Sequence, residues 1–184
     1  MQSERGLLHG VVRFFPKPHG DARGFLVESF RQSWADEAKL PPFVQENHSR
    51  SQGGVLRGIH VTPADGAGKL IRCARGAIFD VAVDLRDPDS ATFGRWEGYV
   101  LSDDNHEQLY VPPGFGHGFF VMSDVADVIY KLAGYYRPDA ELEVRWDDPD
   151  IGIRWPEACR EPQLSPRDVD APSLAGLRER LERM

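Results

Sequence analysis

The sequence predicts an all-β fold, a sandwich or barrel with a few short helices. Its 184 residues include 18 glycines and 14 prolines, which separate short apolar segments along the chain. Short strands spaced between turn residues are typical of β-sandwiches and β-barrels. This length fits a single core, so we predict one domain over residues 1–184, with the β core over about 10–156 and a turn and helix over 157–184.

Composition and charge exclude several classes of partner. The net charge of -7 argues against general binding to nucleic acid or to an anionic membrane. Residues 1–15 lack the apolar run of a signal peptide, and no segment approaches the ~20 apolar residues of a membrane span. Cys73 and Cys159 form no metal-binding pattern and predict reduced thiols. We therefore expect a cytoplasmic protein without nucleic-acid or membrane partners.

The first third of the chain predicts strands and one short helix. Phe30, Trp34 and Ala38 recur at helical spacing, and Ser29 precedes them as a candidate N-cap. A strand further on would point Gln45 and Asn47 to one face, although ordinary loop polarity would also explain these residues. The predicted strands cover residues 10–15, 25–27 and 44–49, with a turn over 19–24.

The clearest strand covers residues 79–85. It alternates between a face of large apolar side chains and a face that carries Asp80 and Asp84. The acidic face either meets water or lines a polar cavity. The apolar residues are Phe79, Val81, Val83 and Leu85.

The remaining chain predicts more strands, a turn and a terminal helix. From Ser173, the leucines Leu174, Leu177 and Leu181 form a narrow apolar stripe among charged residues, as on a packing helix. The strands are predicted within residues 92–101, 108–111, 112–121 and 127–136, and the turn over 164–168.

Two glycine-rich segments each deliver a histidine next to a strand. In the first, Arg57 and His60 flank Gly58, and Lys69 follows. Histidine exchanges a proton near neutral pH, and a base beside two cations suits chemistry that makes an anion from an anionic substrate. Taken alone, the segment would also fit a surface turn with solvated cations.

The second segment resembles the second cupin motif, with the spacing Pro112-x-Gly114-x-x-His117. The first cupin motif normally has two metal-binding histidines one residue apart, followed by a glutamate. Here His60 stands without its partner, and Asp65 is too short to replace the acid. A metal site needs several converging ligands, so we expect no catalytic metal.

Ordered motifs over about residues 10–172 resemble the dTDP-4-dehydrorhamnose 3,5-epimerase family. They run in the same order as in that family, which makes the resemblance specific. The motifs are Gly20-Asp21-x-Arg23-Gly24-Phe25-x-x-Glu28-Ser29, Val44-Gln45-x-Asn47-His48-Ser49, Val55-Leu56-Arg57-Gly58-Ile59-His60, Gly68-Lys69-Leu70-Ile71-Arg72-Cys73, Pro113-Gly114-Phe115-x-His117-Gly118-Phe119, Tyr130-Lys131, Ile151-Gly152-Ile153-x-Trp155-Pro156 and Leu164-Ser165-x-x-Asp168.

The resemblance implies a cupin-type jelly roll, a homodimer and no cofactor. It implies epimerisation of dTDP-4-dehydro-6-deoxyglucose at the carbons on either side of the C4 ketone. It assigns His60 as base, Tyr130 as acid, Asp168 as the partner of His60, and Lys69 as the cation near the C4 oxygen. It also implies substrate binding by Arg23, Glu28, Gln45, Asn47, Arg57, Lys69, His117, Tyr136, Glu141 and Arg167, with Tyr136 stacked on thymine.

One departure leaves the reaction's outcome open. Val61-Thr62 replaces the aromatic residue and glutamine that follow the histidine in common 3,5-epimerases, and the loop over residues 63–67 is rearranged. A threonine there resembles relatives that epimerise only C3. A C3-only or C5-only epimerase therefore remains an alternative. Metal-dependent cupin enzymes and catalytically silent sugar-binding cupins are more distant alternatives. Whether Asp168 or Asp80 lies nearest His60 also stays open.

Overall fold

The computed structural model describes residues 1–61 and 64–183 and confirms the all-β prediction. Three short α-helices and one 3-10 helix (Pro138–Ala140) accompany the strands in this part of the chain; the α-helices are α1 (Gln32–Glu37), α2 (Pro166–Val169) and α3 (Leu174–Leu181). The strands are β1 (Gln2–Arg5), β2 (Val12–Phe15), β3 (Pro18–Asp21), β4 (Gly24–Val27), β5 (Gln45–Gln52), β6 (Leu56–Val61), β7 (Lys69–Arg75), β8 (Ala77–Asp84), β9 (Trp96–Ser102), β10 (Gln108–Val111), β11 (Phe115–Val121), β12 (Val125–Leu132) and β13 (Leu142–Glu143).

Two antiparallel sheets pack face to face. The six-stranded sheet has the order β1-β2-β10-β7-β12-β5, and the five-stranded sheet has the order β13-β6-β11-β8-β9. The central core between them includes Ile71, Ile78, Leu109, Phe115 and Val128. Large apolar side chains of this kind contribute roughly 1.5–3 kcal/mol each when fully buried. β3 and β4 form a separate exposed hairpin.

Each sheet also has a covered outer face. Phe30, Trp34 and Phe43 around α1 pack on the six-stranded sheet. Leu174 and Leu177 of α3 pack on the five-stranded sheet, as the apolar stripe predicts. β8 is consequently buried on both sides. Its apolar face packs under the α3 segment, while Asp80 and Asp84 are 0% and 1% exposed.

The helix ends show where local prediction fails. Ser29 as the N-cap of α1 is wrong, because α1 begins at Gln32 with Arg31 as its cap residue. The carbonyl of Ser29 instead accepts a hydrogen bond from Gln108 Nε2 at 2.7 Å, which holds the chain on the sheet before the helix starts. The turn predicted over residues 164–168 overlaps α2, whose N-cap is Ser165.

Other boundaries shift by a few residues. The turn predicted over 19–24 is a tighter hairpin, in which Asp21 Oδ1 accepts a hydrogen bond from the backbone N–H of Arg23 at 2.8 Å. β12 ends at Leu132, before the predicted end at Tyr136. The proposed division near residues 10 and 156 stays a prediction. No helix in the described ranges has the length and apolar character needed to cross a bilayer.

Candidate active site

A cavity of about 230 Å³ opens between the two sheets. The five-stranded sheet contributes residues from β6 and β11, and the six-stranded sheet contributes residues from β5, β7 and β12. Most of the residues that the sequence nominates therefore meet in one place. The lining consists of Asn47, Ser49, Arg57, His60, Lys69, His117, Phe119, Tyr130, Leu132, Tyr136, Glu141 and Arg167.

His60 pairs with Asp168 at the edge of this cavity. His60 Nε2 lies 2.7 Å from Asp168 Oδ1, and the hydroxyl of Ser165 donates to Asp168 Oδ2 at 2.8 Å. Burial raises the pKa of Asp168, but the hydrogen bond and charge of His60, together with hydrogen bonds from Ser165 and the Gly58 backbone, hold that pKa below its usual range. Because an ionised carboxylate accepts from Nε2–H, the Nδ1 atom of His60 is left as the basic nitrogen.

A second pair lies beside the first. His117 and His60 are cross-strand partners of β11 and β6. His117 Nε2 lies 3.0 Å from Asp80 Oδ2, and Asp80 is fully buried behind the imidazole. The structure thus answers which carboxylate lies nearest His60: it is Asp168. Asp84 does not serve the cavity in the way expected of the acidic face of β8, because Arg86 and Thr92 donate to it instead.

A β-bulge places Arg57 and His60 on the same face of β6. Residues three apart in a regular strand point to opposite faces. Here Gly58 and Ile59 together oppose the single residue Gly118, which restores the alternation on the cavity side. Gly58 adopts a φ of 122°, and a Cβ on it would lie 2.6 Å from Gly118 Cα. Both glycines are therefore required for the close approach.

Lys69 brings a buried cation to the opposite wall. Its side chain is 13% exposed, and its Nζ lies 3.8 Å from Glu141 Oε1. Burial lowers the pKa of Lys69 from its usual range, while the negative charges of Glu141 and Asp80 oppose that shift. An ammonium group with few water neighbours acts strongly on any negative charge that develops beside it.

Tyr130 also lies on the opposite wall, where it is held by neutral groups. Its hydroxyl accepts a hydrogen bond from Asn47 Nδ2 at 3.2 Å. Gln45 Nε2 in turn donates to Asn47 Oδ1 at 3.0 Å. The prediction that Gln45 and Asn47 share a face of β5 is confirmed by this contact.

Acidic residues hold the last cation, Arg167. Arg167 Nη1 donates to Glu141 Oε2 at 2.8 Å, and Nη2 donates to Glu143 Oε2 at 2.9 Å. The hydroxyl of Tyr136 donates to Glu141 Oε2 at 3.1 Å. Burial lowers the pKa of Arg167, but Glu143 and Glu141 outweigh it and raise that pKa above its usual range. A smaller recess shares Lys69, Tyr136 and Glu141 with the main cavity.

Sequence reasoning missed Ser165, Glu143 and the pairing of Asp80 with His117. Ser165 carried a usable signal, because a serine before a proline is typical of a helix N-terminus. Glu143 lies opposite His60 in the β13–β6 ladder, a register that no local pattern indicates.

Three predicted binding residues do not line the cavity in this chain: Gln45 contacts the lining residue Asn47 from outside it, and Arg23 and Glu28 lie away from it. The Arg23 side chain is 90% exposed on the β3–β4 hairpin and pairs with Asp21. Glu28 pairs with Arg31. Thr62 and Pro63, which bear on the choice between C3 and C5, lie outside the described residues. Across residues 1–61 and 64–183, no three His, Cys, Asp or Glu side chains converge as metal ligands would.

A β-sandwich whose cavity holds a histidine–aspartate pair opposite a tyrosine and a buried lysine defines an acid–base enzyme on a cupin-type fold. A sequence model described as dTDP-4-dehydrorhamnose 3,5-epimerase matches residues 6–176. The chain therefore belongs to the dTDP-4-dehydrorhamnose 3,5-epimerase family, whose members are isomerases.

Individual relatives agree with this membership. The chain is 48% identical over 167 residues to dTDP-4-dehydrorhamnose 3,5-epimerase of Salmonella typhimurium. The aligned residues cover 89% of this chain and 90% of the relative. It is similar to the dTDP-6-deoxy-D-glucose-3,5-epimerase of Legionella pneumophila in complex with dTDP-4-keto-L-rhamnose, with a TM-score of 0.89, 41% identity and coverage of 95% and 93% of the two chains. It is also similar to a 3'-monoepimerase of Streptomyces bikiniensis in complex with dTDP-quinovose, with a TM-score of 0.89, 39% identity and coverage of 97% and 90%.

Proposed function

We propose that this protein epimerises dTDP-4-dehydro-6-deoxyglucose at C3 and C5 and so forms dTDP-4-dehydrorhamnose. The observation that carries this proposal is the placement of His60 and Tyr130 on opposite walls of one cavity. Epimerisation requires that a proton leave one face of the sugar and that another arrive on the opposite face. A base and an acid on facing sheets meet that requirement.

In this mechanism, His60 removes the proton from the carbon next to the C4 ketone. Asp168 orients the imidazole through Nε2 and stabilises the imidazolium that forms. The electrons of the broken C–H bond form an enolate, whose negative charge develops on the C4 oxygen. Lys69 supplies the nearby cation for that oxygen. Tyr130 then donates its phenolic proton to the carbon from the other face.

The rest of the cavity suits a nucleotide diphosphate. Arg57, Lys69 and Arg167 supply cationic groups for the diphosphate, and His117 lines the same cavity, inside a protein whose net charge is -7. Tyr136 lies where the main cavity meets the smaller recess and offers an aromatic face to thymine. By analogy with single-strand binding, one such stack contributes ~1–3 kcal/mol.

The working form in this proposal is a homodimer. Arg23 and Glu28 match binding positions of the family, yet they lie on or next to an exposed hairpin. The same hairpin exposes Phe25 at 61% and Leu26 at 75%. A second copy that receives this hairpin would bury the apolar side chains and bring Arg23 to a cavity. Light scattering should give the mass of two chains, and a monomeric mass would contradict this arrangement.

Cytoplasmic location is part of the proposal. Cys73 and Cys159 are free and buried, and burial raises the pKa of each thiol to about 12, which keeps them unreactive. A protein with two protected thiols suits a reducing compartment.

Proton NMR of the substrate with the enzyme in deuterated water tests the function. Deuterium at both C3 and C5 is the expected result. Deuterium at C3 alone would replace the proposal by the C3-only alternative, which the departure at Val61-Thr62 and the likeness to a monoepimerase favour. Absence of deuterium at both carbons would overturn it.

A further inference from the structure

A chain of hydrogen bonds runs along the inner face of β5 and ends on the hydroxyl of Tyr130. It begins at the backbone N–H of Tyr136, which donates to Gln45 Oε1 at 3.0 Å. Gln45 Nε2 donates to Asn47 Oδ1 at 3.0 Å, and Asn47 Nδ2 donates to the Tyr130 oxygen at 3.2 Å. Asn47 and Tyr130 are direct cross-strand partners, so the last step spans the β5–β12 ladder.

The backbone N–H of Tyr136 fixes the direction of every hydrogen bond in this series. A backbone N–H can only donate, so the atom of Gln45 that faces Tyr136 must be the oxygen. The amide nitrogen of Gln45 then faces Asn47 and must meet its oxygen. The amide nitrogen of Asn47 is left to face Tyr130. Neither amide can be turned over without placing two donors or two acceptors against each other.

The consequence concerns the proton of Tyr130. Because the phenolic oxygen accepts from Asn47, the hydroxyl proton is not used in this chain and is free to point into the cavity. We propose that Gln45 and Asn47 are positioning residues that aim the Tyr130 proton at the bound sugar. This inference rests on the proposed function, in which Tyr130 is the acid.

The series of hydrogen bonds also connects Tyr130, the proposed acid, to the end of the cavity that would bind the nucleotide. Tyr136 supplies both the first N–H of the chain and the aromatic ring at the junction with the recess. Residues that held only the substrate would have no need for this continuous, one-directional arrangement. Nucleotide binding and proton delivery therefore share Tyr136.

Gln45→Glu is the sharpest test, because it reverses the direction of these hydrogen bonds with almost no change in the shape of the side chain. A carboxylate cannot donate to Asn47. The Asn47 amide then turns, so that its nitrogen donates to the new carboxylate and its oxygen faces Tyr130. Tyr130 now donates to Asn47, and its proton points away from the cavity. Gln45→Met is the neutral companion variant, which leaves the Asn47 amide without a fixed orientation.

The measured quantity is the ratio of epimerised product to deuterium in recovered substrate, in deuterated water. His60 controls exchange into the substrate, whereas Tyr130 controls product formation. We expect this ratio to fall about fivefold to tenfold in Gln45→Glu, the size of one neutral hydrogen bond, and by less in Gln45→Met. Gln52→Glu adds the same charge at an exposed position of β5 and should leave the ratio unchanged.

Each outcome discriminates. A raised KM with an unchanged ratio in both Gln45 variants would overturn the inference and leave Gln45 as a binding residue. If Gln45→Glu fails to fold, as judged by circular dichroism, the ratio in Gln45→Met decides. If the parent enzyme shows neither exchange nor product, the proposed function itself fails, and the inference fails with it.

Discussion

The two walls of the cavity hold His60 and Tyr130 by different means. On the five-stranded sheet, each histidine is paired with a buried carboxylate. On the six-stranded sheet, Tyr130 is held by neutral amides. A base gains from a negative neighbour that stabilises its protonated form, whereas an acid must keep its proton until the enolate exists. The difference between the walls fits the order of the two proton transfers in the proposed mechanism.

The largest expected effect comes from removing His60, the proposed base on the five-stranded sheet. His60→Ala should lower kcat by ~10²–10⁴-fold, because a positioned base contributes an effect of that size. His117→Ala removes the neighbouring histidine and should mainly raise KM. Steady-state kinetics on both variants, with circular dichroism as the folding check, makes the comparison. Retained activity in His60→Ala would remove this histidine as the base.

Tyr130→Phe tests the hydroxyl held by neutral amides on the six-stranded sheet. It removes the phenolic proton and should cut product formation by ~10²-fold. Exchange of substrate protons with deuterated water should fall much less, because His60 remains. Equal losses of exchange and product would argue against Tyr130 as the acid.

The β-bulge that places Arg57 and His60 on one face of β6 gives a third prediction. A Cβ on Gly118 would lie 2.6 Å from Ile59 Cδ1 and 2.8 Å from the Arg57 carbonyl oxygen. Gly118→Ala should therefore lower the free energy of unfolding by about 1–3 kcal/mol and reduce kcat, since Arg57 and His60 must shift.

Gly176→Ala is the matched control for the bulge. Gly176 lies in α3, and its Cβ would meet Cβ of Pro172, just before the helix, at 3.4 Å, an ordinary van der Waals contact. This substitution should raise the free energy of unfolding by about 0.4–1 kcal/mol. Urea denaturation measures both variants, and equal stability would contradict the close fit at Gly118.

A smaller destabilisation than that of Gly118→Ala is expected at Ser165, which donates to Asp168 and also caps α2. Ser165→Ala should lower the free energy of unfolding by about 0.5–1.5 kcal/mol at neutral pH. The charge-assisted part of the bond to the carboxylate exists only while Asp168 is ionised. Because the folded pKa of Asp168 lies below its usual range, this part is fully present above the unfolded pKa of about 3.9. It disappears as the pH falls through the lower folded pKa.

Ser173→Ala separates the two roles of Ser165. Ser173 caps α3 through the backbone N–H of Gly176 at 3.2 Å. Its effect on stability should therefore not change as the pH falls from neutral into the acid range in which the folded protein's Asp168 takes up a proton. Urea denaturation at several pH values gives the comparison. A pH-independent effect for Ser165→Ala would contradict the contribution of the carboxylate bond.

Local sequence patterns predict much of the fold. The alternation in β8 and the capped leucine stripe of α3 predict those elements because the deciding contacts join residues close together in the chain. The ordered motifs also nominate most of the cavity's residues. Ser29 shows the limit, since the hydrogen bond that keeps it out of the helix comes from Gln108, 79 positions away.

The sequence by itself determined the β class, the terminal helix and the family to which the chain belongs. Only the tertiary structure decided that Asp168, 108 positions from His60, is its carboxylate partner. Only the structure showed that a bulge turns Arg57 and His60 to one face, and that Arg23 lies away from its own chain's cavity. The physical reason is that periodicity and capping are local interactions. Which residue becomes the partner of a distant side chain depends instead on strand register and on the paths that long loops take.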